Sequence, residues 1–279
     1  MIKFIAAIDG LKYSENTVRY ATFLAGKAKA HLVGTFLDDF SYHSYRISEL
    51  VQDGRTLEKK LREFEKKDAE TRNKAEKHFE AECKKANLNF SVHHDKNIAI
   101  NELLHESIYA DLLVVDSEEA FSNYNGKTPT LFIRDMLVEV QCPVVIVPGD
   151  YKSIEKIILL YDGGPSSVFA IKMFSYLFPA LKQLEVEVIS VNPAVESPHI
   201  PDNKLMKEFM KRHFPDAEYK AIKGSPEKEI VQYLKKETKH SMIVLGAYRR
   251  GMVSRWFKAS MADALMRNLK LPLFIAHNK

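Results

Sequence analysis

The feature that most constrains this 279-residue chain is that it repeats itself. The run Lys3-Phe4-Ile5-Ala6-Ala7-Ile8-Asp9-Gly10 returns as Lys156-Ile157-Ile158-Leu159-Leu160-Tyr161-Asp162-Gly163. Each is a short apolar run ending in Asp-Gly, the pattern of a strand buried on both faces and closed by a turn. A helical pattern follows in both copies, Ser14 to Leu24 and Ser166 to Phe178. Next come the apolar runs His31 to Leu37 and Val186 to Val191, then Asp111 to Asp116 and Ser241 to Gly246. Cys142-Pro143-Val144-Val145-Ile146-Val147 and Leu271-Pro272-Leu273-Phe274-Ile275-Ala276 close the series. Matched landmarks in one order mean a tandem duplication, and repeats of this kind set the architecture before any motif does.

Each half reads β-α-β-α-β-α-β-α-β. Aliphatic runs alternating with amphipathic helices specify a five-stranded parallel sheet covered by helices on both faces. Such sheets bind ligands beyond the carboxyl ends of their strands, where the strand order reverses. That edge carries Asp9 and Asp116 in the first half, and Asp162 and Gly246 in the second. The turn-forming stretch Pro148-Gly149-Asp150-Tyr151-Lys152-Ser153 sets the boundary, giving domains at 1–150 and 151–279.

Composition removes several classes. At 46% hydrophobic and 28% charged residues the chain can bury a sizeable core, which excludes disordered and collagen-like readings. No run approaches the ~18 apolar residues of a membrane span, so no membrane partner is expected. The 41 basic and 37 acidic residues nearly balance at net +4, and no basic run interleaved with aromatics points to nucleic acid. Cys83 and Cys142 lie too far apart for a metal-type CxxC pair, and Met1-Ile2-Lys3-Phe4 leads into a strand rather than an export signal. A reducing, cytoplasmic setting is the expectation.

The halves differ in one segment. Arg55 to Ala86 is long and charged, with apolar positions at Leu57, Leu61, Phe64, Ala75, Phe79 and Cys83 in a helical stripe that Asp68 and Arg72 interrupt. A helix of about 32 residues would span ~48 Å, longer than one small domain. Its far end is expected to reach the other half or a second chain, or to protrude.

These landmarks resemble the universal stress protein family in its tandem two-domain form. The resemblance rests on Asp9-Gly10, the run Asp111 to Asp116 and the Cys142-Pro143-Val144 ending in the first half. In the second it rests on Asp162-Gly163, Gly224-Ser225-Pro226, and Gly246 through Ser260 followed by Leu271-Pro272-Leu273. It implies two Rossmann-like domains of the adenine nucleotide alpha hydrolase type and a stress-response or signalling role. ATP-binding members carry a loop G-x2-G-x9-G-[S/T] after the fourth strand. Glycines there admit phosphate to the backbone, and a helix start donates amides to it. Laid on the second half, the resemblance assigns Gly246, Arg249, Ala259 and Ser260 to that loop, with Asp162 and Gly163 on the ribose side. Arg249 and Arg250 could meet phosphate by charge-assisted bonds. In the first half Asp116 replaces the first glycine, Ser117-Glu118-Glu119 follow, and Thr130 and Leu131 stand at the final positions, so no helix-start hydroxyl is expected. In the second half Arg249 and Ala259 replace the second and third glycines, leaving Gly246 and Ser260 as the matches, so an ATP site, where retained, is expected there and not in the first half.

Other signals are weaker. Asp162-Gly163-Gly164-Pro165-Ser166-Ser167 is similar to the SGGxDS loop of PP-loop ATP pyrophosphatases but lacks its first serine and its acidic residue. His93-His94-Asp95 invites a metal reading, yet adjacent strand residues point to opposite faces. Cys83 and Cys142 read as inert buried thiols, Trp256 and Phe257 as packing anchors, and Phe209 to His213 as the basic side of a helix. No residue is assigned a catalytic or metal-binding role. Alternatives stay open: a slow ATP hydrolase with Asp162 on magnesium and Ser260 on phosphate, or a ligand-free interaction module. Val144–Val147 and Leu273–Ile275 are expected to pair into an intramolecular pseudo-dimer, with homodimerisation and protein partners left open.

Overall fold

The computed structural model describes residues 2–37, 43, 57–95, 98–122, 127–192, 199–246 and 261–277. The first half runs β1 (Lys3–Ile8), α1 (Glu15–Ala28), β2 (His31–Leu37), α2 (Leu57–Lys85), β3 (Phe90–Asp95), α3 (Ala99–Ser107), β4 (Leu112–Asp116), α4 (Leu131–Glu139) and β5 (Val144–Val147). The second runs β6 (Lys156–Leu160), α5 (Pro165–Leu177), a 3₁₀ turn (Pro179–Gln183), β7 (Glu185–Asn192), α6 (Asn203–His213), β8 (Glu218–Lys223), α7 (Pro226–Lys236), β9 (Ser241–Gly246), α8 (Met261–Asn268) and β10 (Leu273–Ala276). Both halves follow the order read from the repeat.

All ten strands join one sheet in the order β3-β2-β1-β4-β5-β10-β9-β6-β7-β8. Within each half the pairs are parallel. The halves meet where β5 and β10 run antiparallel, with Ile146 opposite Leu273, Val145 opposite Phe274 and Val144 opposite Ile275. Exchanging the halves maps this ladder onto itself, so a local two-fold axis passes through the Val145–Phe274 pair. The expected pairing of the two apolar segments is therefore present.

Alternation along buried strands divides the core into two layers. Phe4, Ala6 and Ile8 pack with Val18 and Tyr20 of α1 and Phe79 of α2 on one face. Ile5 and Ala7 pack with Leu103 of α3 and Met136 of α4 on the other. The same division holds in the second half, where Ile157 and Leu159 meet α5 and α6 while Ile158 and Leu160 meet α7 and α8.

Helix α2 covers Leu57–Lys85 and packs on α1, β2 and β3 of its own half. Ala75, Phe79 and Cys83 enter the core, and the two interrupting residues continue the buried stripe: Asp68 is buried, and Arg72 lies on the Asp9-Gly10 turn. Its Cγ stands 2.9 Å from where a Cβ on Gly10 would be. At Arg72 the polar break in the stripe thus packs on the backbone of a turn.

Candidate functional site

In each half the strand order reverses between the first and fourth strands, and a crevice opens there at their carboxyl ends. In the second half the turn after β6 is tight. Gly163 takes φ +81°, a conformation that side chains with a Cβ rarely adopt. Asp162 holds this turn: its Oδ1 accepts from Gly164 N at 2.8 Å and from Ser167 Oγ at 2.7 Å. Gly164 then caps α5, and Pro165 occupies its first turn, where a missing N–H costs nothing.

Across the crevice, β9 ends at Gly246 against the start of α5. A Cβ there would fall 2.3 Å from Ser166 C and 2.6 Å from Ser167 N. Glycine is required by this close approach of strand to helix, which also brings the Asp162 turn beside the end of β9. A cavity of about 210 Å³ results, with Asp162, Ser167 and Gly246 on its polar side. Ile189, Val191, Pro226, Ile230, Leu245 and Met261 are among its apolar walls. The structure thus brings together Asp162 and Gly246, with Gly163 in the intervening turn. Arg249, Ala259 and Ser260 lie outside the described residues, as do Arg250, Trp256 and Phe257. Sequence reasoning overlooked Ser167, whose spacing from Asp162 matches that of Ser14 from Asp9.

An adenine nucleotide meets a mixed fit here. Apolar walls beside one carboxylate suit a base and its ribose. The volume lies below the ~300–1,000 Å³ usual for small-molecule sites, too small for a whole nucleotide.

The first-half crevice is built otherwise. Asp9 is buried and accepts from Leu11 N at 2.7 Å and Lys12 N at 3.0 Å. Asp116, in the place of Gly246, accepts from Ser14 Oγ at 2.9 Å and Glu118 N at 2.9 Å. Glu119 accepts from Ala120 N and Phe121 N. Burial, then the charge of Asp9 and, more weakly, that of Asp116 raise its carboxyl to about 7, against the two amides. Thr130 corrects the expectation of a missing hydroxyl: it caps α4, accepting from Ile133 N at 3.2 Å and donating to Glu119 O at 2.5 Å. Counting forward from Asp116 as from Gly246 places Glu119 with Arg249 and Thr130 with Ser260, a spacing that would have found both.

The remaining candidates separate as strand geometry requires. His93 Nδ1 meets Glu106 at 2.6 Å beneath α3, whereas His94 meets Glu76 of α2 at 3.4 Å on the other face. Both cysteines are buried, and burial followed by the charges of Glu82 and Glu80 pushes the Cys83 thiol up to about 12. On α6, Met210 and His213 are buried while Lys211 and Arg212 face solvent. No group of three or more metal-ligating side chains occurs among the described residues, and no helix among them is long and apolar enough to cross a membrane.

Comparison with known proteins agrees with this architecture. Residues 202–277 match the model of the universal stress protein family. No curated protein matches the chain. A universal stress protein structure from Archaeoglobus fulgidus superposes with TM-score 0.71 at 14% identity, over 99% of this chain and 96% of that one. A functionally unknown protein from Pseudomonas aeruginosa superposes with TM-score 0.60 at 11% identity, over 98% of this chain and 91% of that one. At such identities the likeness is one of fold. With residues 202–277 matching the family model and that fold running through both halves, the chain is similar to the universal stress proteins and shares their fold in a tandem arrangement.

Proposed function

We propose that the chain is a non-enzymatic stress-response or signalling protein of the cytoplasm that binds ATP in its second half. Its two units are residues 1–150 and 151–279. The site consists of Asp162, Gly163 and Gly246, completed by Arg249, Ala259 and Ser260 of the following loop. One observation carries this reading: the two crevices are the same in topology and opposite in chemistry. That of the second half holds a cavity of about 210 Å³ with one carboxylate at its rim. That of the first gathers Asp9, Asp116 and Glu119, whose charges already oppose one another before any phosphate arrives.

Calorimetric titration of the whole chain with ATP and magnesium tests the proposal. One site per chain is expected, weakened about tenfold or more in Ser260→Ala, the loss of a hydrogen bond to a charged group. Glu119→Ala leaves the affinity unchanged. An absence of heat, a second site, or binding indifferent to Ser260 would overturn the assignment. Sustained phosphate release that Asp162→Ala abolishes would make the protein a hydrolase instead.

A further inference from the structure

The local two-fold axis relates two surface grooves that flank the β5–β10 seam. The first is filled by the segment joining the halves, residues 149–155. Asn16 and Tyr20 of α1 hold it by its backbone. Asn16 Nδ2 donates to Gly149 O, Tyr151 N donates to Asn16 Oδ1 at 3.0 Å, and Lys152 N donates to the Tyr20 hydroxyl at 3.2 Å. The Tyr151 ring lies 4.7 Å from that of Tyr20, with the Arg19 guanidinium 4.2 Å above it, and Ile154 is buried. The segment ends by exchanging hydrogen bonds with His240, Glu155 N to His240 O at 2.9 Å and His240 N to Glu155 Oε2 at 3.1 Å.

The counterparts of Asn16, Tyr20 and Arg19 on α5 are Phe169, Met173 and Lys172, at the spacing that separates Asp9 from Asp162. The counterpart of His240 is Ala110, and that of Pro148, where the joining segment begins, is His277. A cavity of about 290 Å³ lies between them, lined by Phe169, Met173, Ala110 and His277 and reaching Cys142 and Gln141 at the seam. The backbone-holding amide and phenol of the first groove are absent. In their place stand two apolar side chains, with the Lys172 ammonium 5.7 Å over the Phe169 ring.

The geometry points to this second groove as a docking site for an extended peptide segment of a partner protein that carries an aromatic side chain. The occupied groove supplies the template. Such a segment places its ring as Tyr151 is placed, on Met173 and beside Lys172, where a cation meets an aromatic face. The groove is continuous with the contact between the halves. Recognition rests on side-chain burial, because Phe169 and Met173 offer no hydrogen bonds to a backbone. This inference is independent of the nucleotide.

The test uses the whole chain and a fluorescein-labelled heptapeptide of the joining segment, Gly-Asp-Tyr-Lys-Ser-Ile-Glu. Saturable anisotropy is expected, with a shift of the Met173 methyl resonance in a methionine-labelled sample. Changing the peptide's tyrosine to alanine weakens binding at least tenfold. Gln141→Trp, at an exposed position that fills the groove without touching the core, abolishes it, and so does Met173→Lys. The proposal is overturned if anisotropy does not saturate at millimolar protein, or if Gln141→Trp binds as well as the unaltered chain. It is equally overturned if the Met173 resonance stays in place, or if N-acetyl-tyrosinamide competes as strongly as the peptide and so marks a small-molecule pocket.

Discussion

Glu119 shows how much a single side chain can reveal about a site. An ordinary glutamate releases its proton near 4.5, whereas here burial and the Asp9 charge raise the carboxyl to about 7. Between those values the folded chain keeps a proton that the unfolded chain has lost. The resulting stability is fully present below pH 4.5 and is lost as the pH rises through 7. Glu119→Gln retains the acceptor for Ala120 and Phe121 without the charge. It is expected to exceed the unaltered chain by about 1–3 kcal/mol at pH 8 and to match it at pH 4.5, as read from urea unfolding at the two pH values. Asp116 was legible in the sequence because it ends a repeated strand. Thr130 was legible from it in turn, because it follows Asp116 at the spacing that separates Ser260 from Gly246.

At the scale of elements, the lysine that opens the repeated landmark proves to be structural in both copies. Lys3 Nζ meets Glu106 at 2.8 Å. Lys156 is buried, and its Nζ lies within 2.9 Å of Glu185, Glu187 and Glu237, from β7 and the end of α7. Burial works against its charge, yet these three partners hold it protonated well beyond the ordinary lysine range. The Tyr233 hydroxyl completes the cluster by donating to Glu187. Lys156→Met leaves carboxylates without their cation and is expected to cost about 3–5 kcal/mol, measurable as a lowered urea midpoint at pH 7. The repeat marked the position of both lysines, but not their partners, which come from elements far along the chain. Helix α2 teaches the same lesson: Arg72 breaks its apolar stripe because it packs on the Gly10 backbone, a partner far away in the chain. β8 (Glu218–Lys223) left little trace because it is an edge strand, and edges of sheets are kept polar.

For the molecule as a whole, the decisive joint is β5 against β10. Phe274 of β10 is fully buried, with ring centroids 5.2 Å from Phe174 and 6.2 Å from Phe178, and Phe178 in turn lies 5.8 Å from Phe4 of the first half. One aromatic cluster therefore belongs to both copies. Phe274→Ala is expected to cost about 3–5 kcal/mol. Because the core layers run through the seam, heating should still give one calorimetric transition for the whole chain; two resolved transitions would show that the copies fold separately. The duplication, the sheet class and this joint were all legible, since each rests on long apolar runs. The loop chemistry was less so, because it depends on single residues. The antiparallel seam also reverses the strand direction from one half to the other. The cavity beside Asp162 and the carboxylate cluster around Asp9 consequently lie at opposite poles of a shared sheet, so the charges gathered at one pole act at a distance from the other.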